Sequence, residues 1–161
     1  MDEKLRVLFD TNIYELLYDE YLPKVKELIA TQNITLYGCK VIRDELRDIP
    51  KTAMREKRNF RNLLLSIYDN LIGEHNYPVV GFVEKLAESY LNVYYGGIPK
   101  RKIFPDFLIV AIASIHNLDI VVSNDENSMK SILALKAYER VNNQSKLRTP
   151  KFISLNKFLK P

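Results

Sequence analysis

A lone cysteine, Cys39, stands in 161 residues, so no disulfide can close within the chain. It is read as a small buried residue at the end of a strand. Histidine is almost as scarce. His75 lies in an irregular segment and His116 ends an apolar helix, where a cation is favoured, so neither is read as catalytic. No apolar run approaches the roughly 20 residues of a membrane-spanning helix. The opening MDEKLRVLFD carries charge where a secretory signal needs an unbroken apolar region, and the expectation is a cytoplasmic chain with no membrane partner. Internal repeats, low-complexity tracts and an obvious interdomain linker are absent, so residues 1–161 are expected to form one domain.

What is present is an ordinary globular composition, 47% hydrophobic and 27% charged, with a formal net charge of +4. Four acidic residues occupy places where apolar, strand-like runs end or helices begin. They are Asp10 in VLFDTN, Glu45 in VIRDELRD, Asp106 in IFPDFLIVAIA and Asp125 in IVVSND. Carboxylates converging on one site repel by roughly 4 kcal/mol for a pair about 4 Å apart, so something cationic has to hold them. All-oxygen ligation without His or Cys suits Mg²⁺ or Mn²⁺. With four negative charges concentrated there, the rest of the surface is more basic than the total suggests, which suits a polyanion bound through its phosphates.

Leu5 to Phe9 reads as a buried first strand, followed by a helix opened by Asp10, Thr11 and Asn12 and running to about Tyr18. A second helix is expected from Pro23 to about Thr31, a strand over Ile34 to Tyr37, and a helix from about Val41 to Arg47 that carries Glu45. Lys51 to Asp69 shows helical spacing at Phe60, Leu63, Leu64 and Ile67, with basic residues filling its first half. A helix follows from about Gly81 to Tyr94, then a Gly/Pro loop with Lys100, Arg101 and Lys102. Pro105 and Asp106 are expected to open a helix to about His116. Ile120 to Ser123 is a strand, Met129 to about Tyr138 a helix, and Phe152 to Ser154 a last strand before a short helix. Strands alternating with helices argue for a parallel sheet covered on both faces, whose carboxyl edge gathers Asp10 and Asp125.

Singly, each acid has a plainer role: Asp10 and Asp125 as helix caps, Asp106 at the positive end of a helix dipole, Glu45 as an exposed helical carboxylate. Together, DTN after a first strand, an acid in the helix after strand two, DFLIVAIA and SND resemble the PIN-domain nucleases over nearly the whole chain, as far as FISLNKFL. The resemblance implies a three-layer α/β/α sandwich with a central parallel sheet of about four to five strands, residues 51–78 being a family-variable helical insertion. It implies that Asp10, Glu45, Asp106 and Asp125 form the catalytic, metal-binding site. Asn12 and Ser123 match the polar positions that support it by hydrogen bonding. Asp44 is an alternative to Glu45, which is favoured because an acid followed by Leu46 fits the pattern better.

The activity so implied is Mg²⁺- or Mn²⁺-dependent hydrolysis of single-stranded RNA, leaving a 5′-phosphate and a 3′-hydroxyl. Arg55, Arg58 and Arg61 in the basic stretch and Lys100, Arg101 and Lys102 are the expected phosphate contacts, with Tyr94 and Tyr95 placed to stack on bases. The small size favours a VapC-type toxin with a small antitoxin as partner; a homodimer through apolar helix faces such as Phe60 to Ile67 is a further expectation. A housekeeping RNA-processing nuclease and a non-catalytic RNA-binding or scaffold protein are the alternatives. Phosphotransfer enzymes fit less well: a haloacid-dehalogenase-type phosphatase needs an Asp where Asn12 stands, and a receiver domain needs an acidic pair and a late Lys that are not evident.

Overall fold

A computed structural model describes residues 4–160; Asp2 and Glu3, part of the argument against a secretory signal, lie outside the described residues. The first strand, β1 (Leu5–Phe9), leads into helix α1 (Thr11–Leu16), a π turn (Leu17–Tyr21) and helix α2 (Leu22–Thr31). Strand β2 (Ile34–Cys39) and helix α3 (Lys40–Arg47) follow directly. The chain then forms a hairpin of β3 (Met54–Arg55) and β4 (Arg58–Asn59), helix α4 (Phe60–Ile72), strand β5 (Asn76–Tyr77) and helix α5 (Gly81–Val93). Helix α6 (Lys100–Ile115), strand β6 (Ile120–Val122), helix α7 (Ile132–Gln144), strand β7 (Lys151–Ile153) and helix α8 (Leu155–Leu159) complete it.

Five strands make one parallel sheet in the order β5-β2-β1-β6-β7. Val7, Leu8 and Phe9 in its central strand are essentially inaccessible to water, as expected for a run covered on both faces. Gly38 in β2 is fixed by packing: a Cβ there would sit 2.1 Å from the Tyr68 hydroxyl, which donates to the Cys39 carbonyl. Behind α5, α6 and α7 a buried polar knot holds the layers in register. Asn142 accepts from the Tyr90 hydroxyl at 2.7 Å and donates to Ser114 and Thr149, each at 3.0 Å.

Residues 51–59 depart from the expected helix. Glu56 and Lys57 both adopt positive φ, 51° and 65°, and form the two-residue turn of a hairpin although neither is Gly or Asn. Asn59 then caps α4 by accepting from Asn62 N, so the helix starts at Phe60. The segment 51–78 is therefore a hairpin, a helix and the edge strand β5 rather than wholly helical. The Phe60, Leu64, Tyr68 and Ile72 stripe of α4 faces the core, so that part of the face expected for a homodimer is used internally.

Helix α6 begins at Lys100, not at Pro105. The wholly buried Ile103 packs one turn before Phe107, and this apolar spacing carries the helix across Pro105. Lys100 to Lys102 thus occupy a first helical turn rather than a loop, and Asp106 lies in the second turn, away from the dipole's positive end. Helix α7 starts at Ile132, capped by Ser131, because residues 124–131 are held as a loop. Tyr94, expected beside its neighbour as a stacking surface, is buried edge-on against Phe107; Tyr95 stays 78% exposed.

Candidate active site

Sheet register brings the site together. Phe9 pairs with Val122, so the residues that follow them, Asp10 and Ser123, leave adjacent strands side by side; the Asp10 N–H still donates to the Val122 carbonyl. Asp10 is 5% exposed. One of its carboxylate oxygens accepts from the Ser123 hydroxyl at 2.7 Å and the other from the Thr11 N–H at 2.8 Å, so it caps α1 and also anchors the site. On the other flank of β1, α3 springs from the end of β2 and presents Glu45, which accepts from the Thr11 hydroxyl at 2.9 Å. Asp44 turns away and pairs with Lys40.

Asp106 arrives from α6 and Asp125 from the loop after β6, and Ser128 sits between them. Its Oγ is 2.8 Å from Asp106 Oδ2 and also contacts Asp125 Oδ2. A serine hydroxyl carries one proton, so it cannot donate fully to both carboxylates at once. The loop is firmly held. Asp125 Oδ1 accepts from the N–H groups of Asn127 and Ser128, Lys130 Nζ donates to the Ser123 carbonyl, and the Tyr138 hydroxyl donates to that of Met129.

Asp106 feels the charge of the other three carboxyls. Burial, then Asp10, pushes Asp106 up to about 7, with Asp125 and Glu45 adding to it against the Ser128 hydrogen bond. Burial raises Glu45 to about 7, opposed by Thr11 and reinforced by Asp10 and Asp48. Burial also raises Asp10, with Asp125 adding and Ser123 and Thr11 resisting. This is an electrostatically frustrated group whose anionic form calls for a cation or protons.

The donor set is wholly hard oxygen, the chemistry that suits Mg²⁺ or Mn²⁺. Among the described residues, no three His, Cys, Asp or Glu side chains are gathered tightly enough to encircle an ion. A cation held here would keep part of its water shell and touch few carboxylates directly, as Mg²⁺ commonly does. Asp10 and Asp106 are central to such a centre. Beside Glu45 opens an acidic groove of about 470 Å³ lined by Asp44, Asp48 and Glu84, with Val41, Val79 and Leu108 as its apolar part.

The remaining candidates divide. Asn12 is exposed on α1 and makes none of the site's hydrogen bonds; Thr11, its neighbour in the same DTN motif, makes two. Ser128 and Lys130 went unremarked in the sequence. The three-residue spacing from Asp125 to Ser128 was a usable turn signal, whereas nothing marked Lys130. Arg55 pairs with Glu15 and Asp19 and lies over the Phe60 ring, so its charge is met locally. Arg61 is half-buried with its Nε lacking a hydrogen bond, while Arg58, Lys100, Arg101 and Lys102 are exposed. His75 stacks on Tyr37 and His116 on Tyr77, in a cluster with Arg6, which hydrogen-bonds to the Tyr37 and Tyr77 hydroxyls. No helix among the described residues is long and apolar enough to cross a membrane.

No family model matches this sequence, and no curated protein matches it. Solved structures do match. FitAB bound to an IR36 DNA fragment is 18% identical with a TM-score of 0.55, covering 92% of this chain and 94% of that one. FitAcB from Neisseria gonorrhoeae gives 18%, 0.53, 91% and 96% in the same terms. VapBC2 from Rickettsia felis, bound to a promoter DNA fragment, is 15% identical over 93% of this chain and 98% of that one, with a TM-score of 0.58. At these identities it is the architecture that is shared, and over nearly its whole length this chain has the PIN-like α/β fold of the VapBC2 and FitAB structures.

Proposed function

We propose that this chain is a divalent-metal-dependent endoribonuclease acting on single-stranded RNA, and the toxin of a toxin–antitoxin pair. The observation that carries the reading is the coupled group of Asp10, Glu45, Asp106 and Asp125 at the carboxyl edge of the sheet, in which one Ser128 hydroxyl faces two carboxylates. Asp10 caps α1 and Asp125 holds its loop, but burial and neighbouring carboxylates make the anionic forms of Asp10, Glu45 and Asp106 costly. A bound cation relieves that cost, which capping and loop hydrogen bonds alone do not.

A bound Mg²⁺ or Mn²⁺ supplies a water made more acidic and neutralises charge on the attacked phosphate. The chain's own contribution is positional. Ser123 and Thr11 fix the two oxygens of Asp10, Thr11 turns Glu45 toward it, and Ser128 spaces Asp106 from Asp125. No side-chain nucleophile is required, and neither histidine hydrogen-bonds to any of the four carboxyls. The exposed Lys100, Arg101, Lys102 and Arg58 supply phosphate contacts that give affinity and salt dependence rather than sequence preference.

The likeness to VapBC2 and FitAB structures supports a small antitoxin as partner. The acidic, partly apolar groove beside Glu45 suits a cationic segment of such a protein and disfavours RNA there. The test follows labelled single-stranded RNA with purified protein in Mn²⁺, in Mg²⁺ and in EDTA, beside Asp106→Asn. Metal-dependent cutting that the variant loses is the expected result. An uncut substrate in every arm, with no Mn²⁺ bound, overturns the reading in favour of a binding or scaffold role.

A further inference from the structure

We propose that the hollow between the 94–99 turn and the 126–133 segment is a subsite for one unpaired base of the RNA, beside the scissile phosphate. The proposal rests on the nuclease reading and deepens it. The hollow, of about 570 Å³, is lined by Tyr94, Gly97, Ile98, Asn127, Ile132 and Leu133 among others. Its two walls are continuous in sequence with the site. One is the loop whose Asp125 and Ser128 stand at the carboxylate centre, and the other is the turn that runs into α6, the helix bearing Asp106.

Its lining matches a base better than it matches a phosphate or an ordinary solvated surface. Of the lining side chains, Ile132 is 72% exposed and Leu133 44%; large apolar side chains so open to water are little covered by the described residues. The floor is firm because Tyr94 is packed edge-on against Phe107. At Gly97 a Cβ would meet nothing within 4 Å, so the rim is open there. A flat ring with apolar faces suits these walls. The exposed Asn127 side chain makes no hydrogen bond among the described residues, which leaves both a donor and an acceptor for the polar edge of a base. Glu126, the one acid in the lining, is already paired with Lys130 at 2.8 Å. Immediately beyond the turn come the exposed Lys100, Arg101 and Lys102, none in an ion pair among the described residues, which suit the phosphates that flank such a base.

The experiment measures anisotropy of labelled single-stranded RNA dodecamers with Mg²⁺ on the Asp106→Asn chain, so that the RNA is not consumed. Leu133→Ser and Ile132→Ser are added to that background; both residues line the hollow and are exposed, and circular dichroism checks the fold. The expected result is a roughly tenfold loss of affinity in each. Removing the base at one position of the RNA weakens the parent by a similar factor and leaves the Ile132→Ser protein unchanged. Equal binding by parent and variants overturns the subsite while leaving the nuclease reading intact. No RNA binding by the parent overturns the subsite, and if wild type also fails to cut RNA the nuclease reading falls with it. Equal RNA binding with an altered elution volume in the variants assigns the patch to a protein interface instead.

Discussion

Asp106→Asn is expected to make the metal-free protein more stable. Folding raises Asp106 from 3.8 to about 7, chiefly through burial and Asp10. At 1.36 kcal/mol for each tenfold change in proton affinity, that difference has a ceiling of about 4 kcal/mol. Asp10 and Glu45 share the repulsion and the proton, and the neutral amide keeps an oxygen to accept from Ser128, so about 1 to 2 kcal/mol is the realistic gain. For a domain of this size that is an upward shift in melting temperature of about 4 °C. Its pH dependence follows from linkage. A carboxyl whose affinity for protons rises on folding adds no penalty below the unfolded value near 3.8. The penalty grows as pH climbs toward 7 and is complete above it. Melting in EDTA from about pH 3.5 to pH 8 should therefore show wild type and variant converging in acid and separating in base, with the variant above. In saturating Mn²⁺ the order should reverse. A variant less stable than wild type at about pH 8 in EDTA, or a gap that does not change with pH, refutes the electrostatic account.

Ser128→Ala removes the hydroxyl between Asp106 and Asp125 and should lower Mn²⁺ affinity by roughly 10- to 100-fold while leaving the circular dichroism spectrum unchanged. Asn142→Leu leaves the buried Tyr90 and Ser114 hydroxyls only each other, at 3.2 Å, and should destabilise by about 1 to 3 kcal/mol, read from urea melts, with the metal affinity of the folded protein unchanged. Replacing Lys100, Arg101 and Lys102 together by alanine should weaken RNA binding at low salt and flatten the logarithmic salt slope by about 2, measured by filter binding across a salt series.

Strands β1, β2, β6 and β7 were legible as short apolar runs, the first stopping at Asp10, and the hydrogen-bond register then places Asp10 beside Ser123. Glu45 was legible from its place in the helix after strand two. The 51–59 hairpin was not, since Glu56 and Lys57 are poor markers of a turn with positive φ and the basic residues around them read as a solvated helix. Strand β5 has only two residues, too few for any periodicity. The early start of α6 was hidden by Pro105, which ordinarily marks a first turn, while tertiary burial of Ile103 carries the helix past it. The carboxylate-orienting roles of Thr11 and Ser128 have no sequence mark, because hydroxyls carry no charge pattern of their own and Thr11 reads only as part of a helix-opening turn.

The central claim, that four mutually repelling carboxyls form one cation-holding centre, is tested most directly by calorimetric titration of Mn²⁺ into the metal-free protein at about pH 7 in two buffers of different ionisation enthalpy. Because Glu45 and Asp106 are held near 7, binding should release protons, so the measured heat should differ between buffers, and Asp106→Asn should lose most of the affinity. Absence of Mn²⁺ binding, or binding equal in wild type and variant with no dependence on buffer, contradicts it.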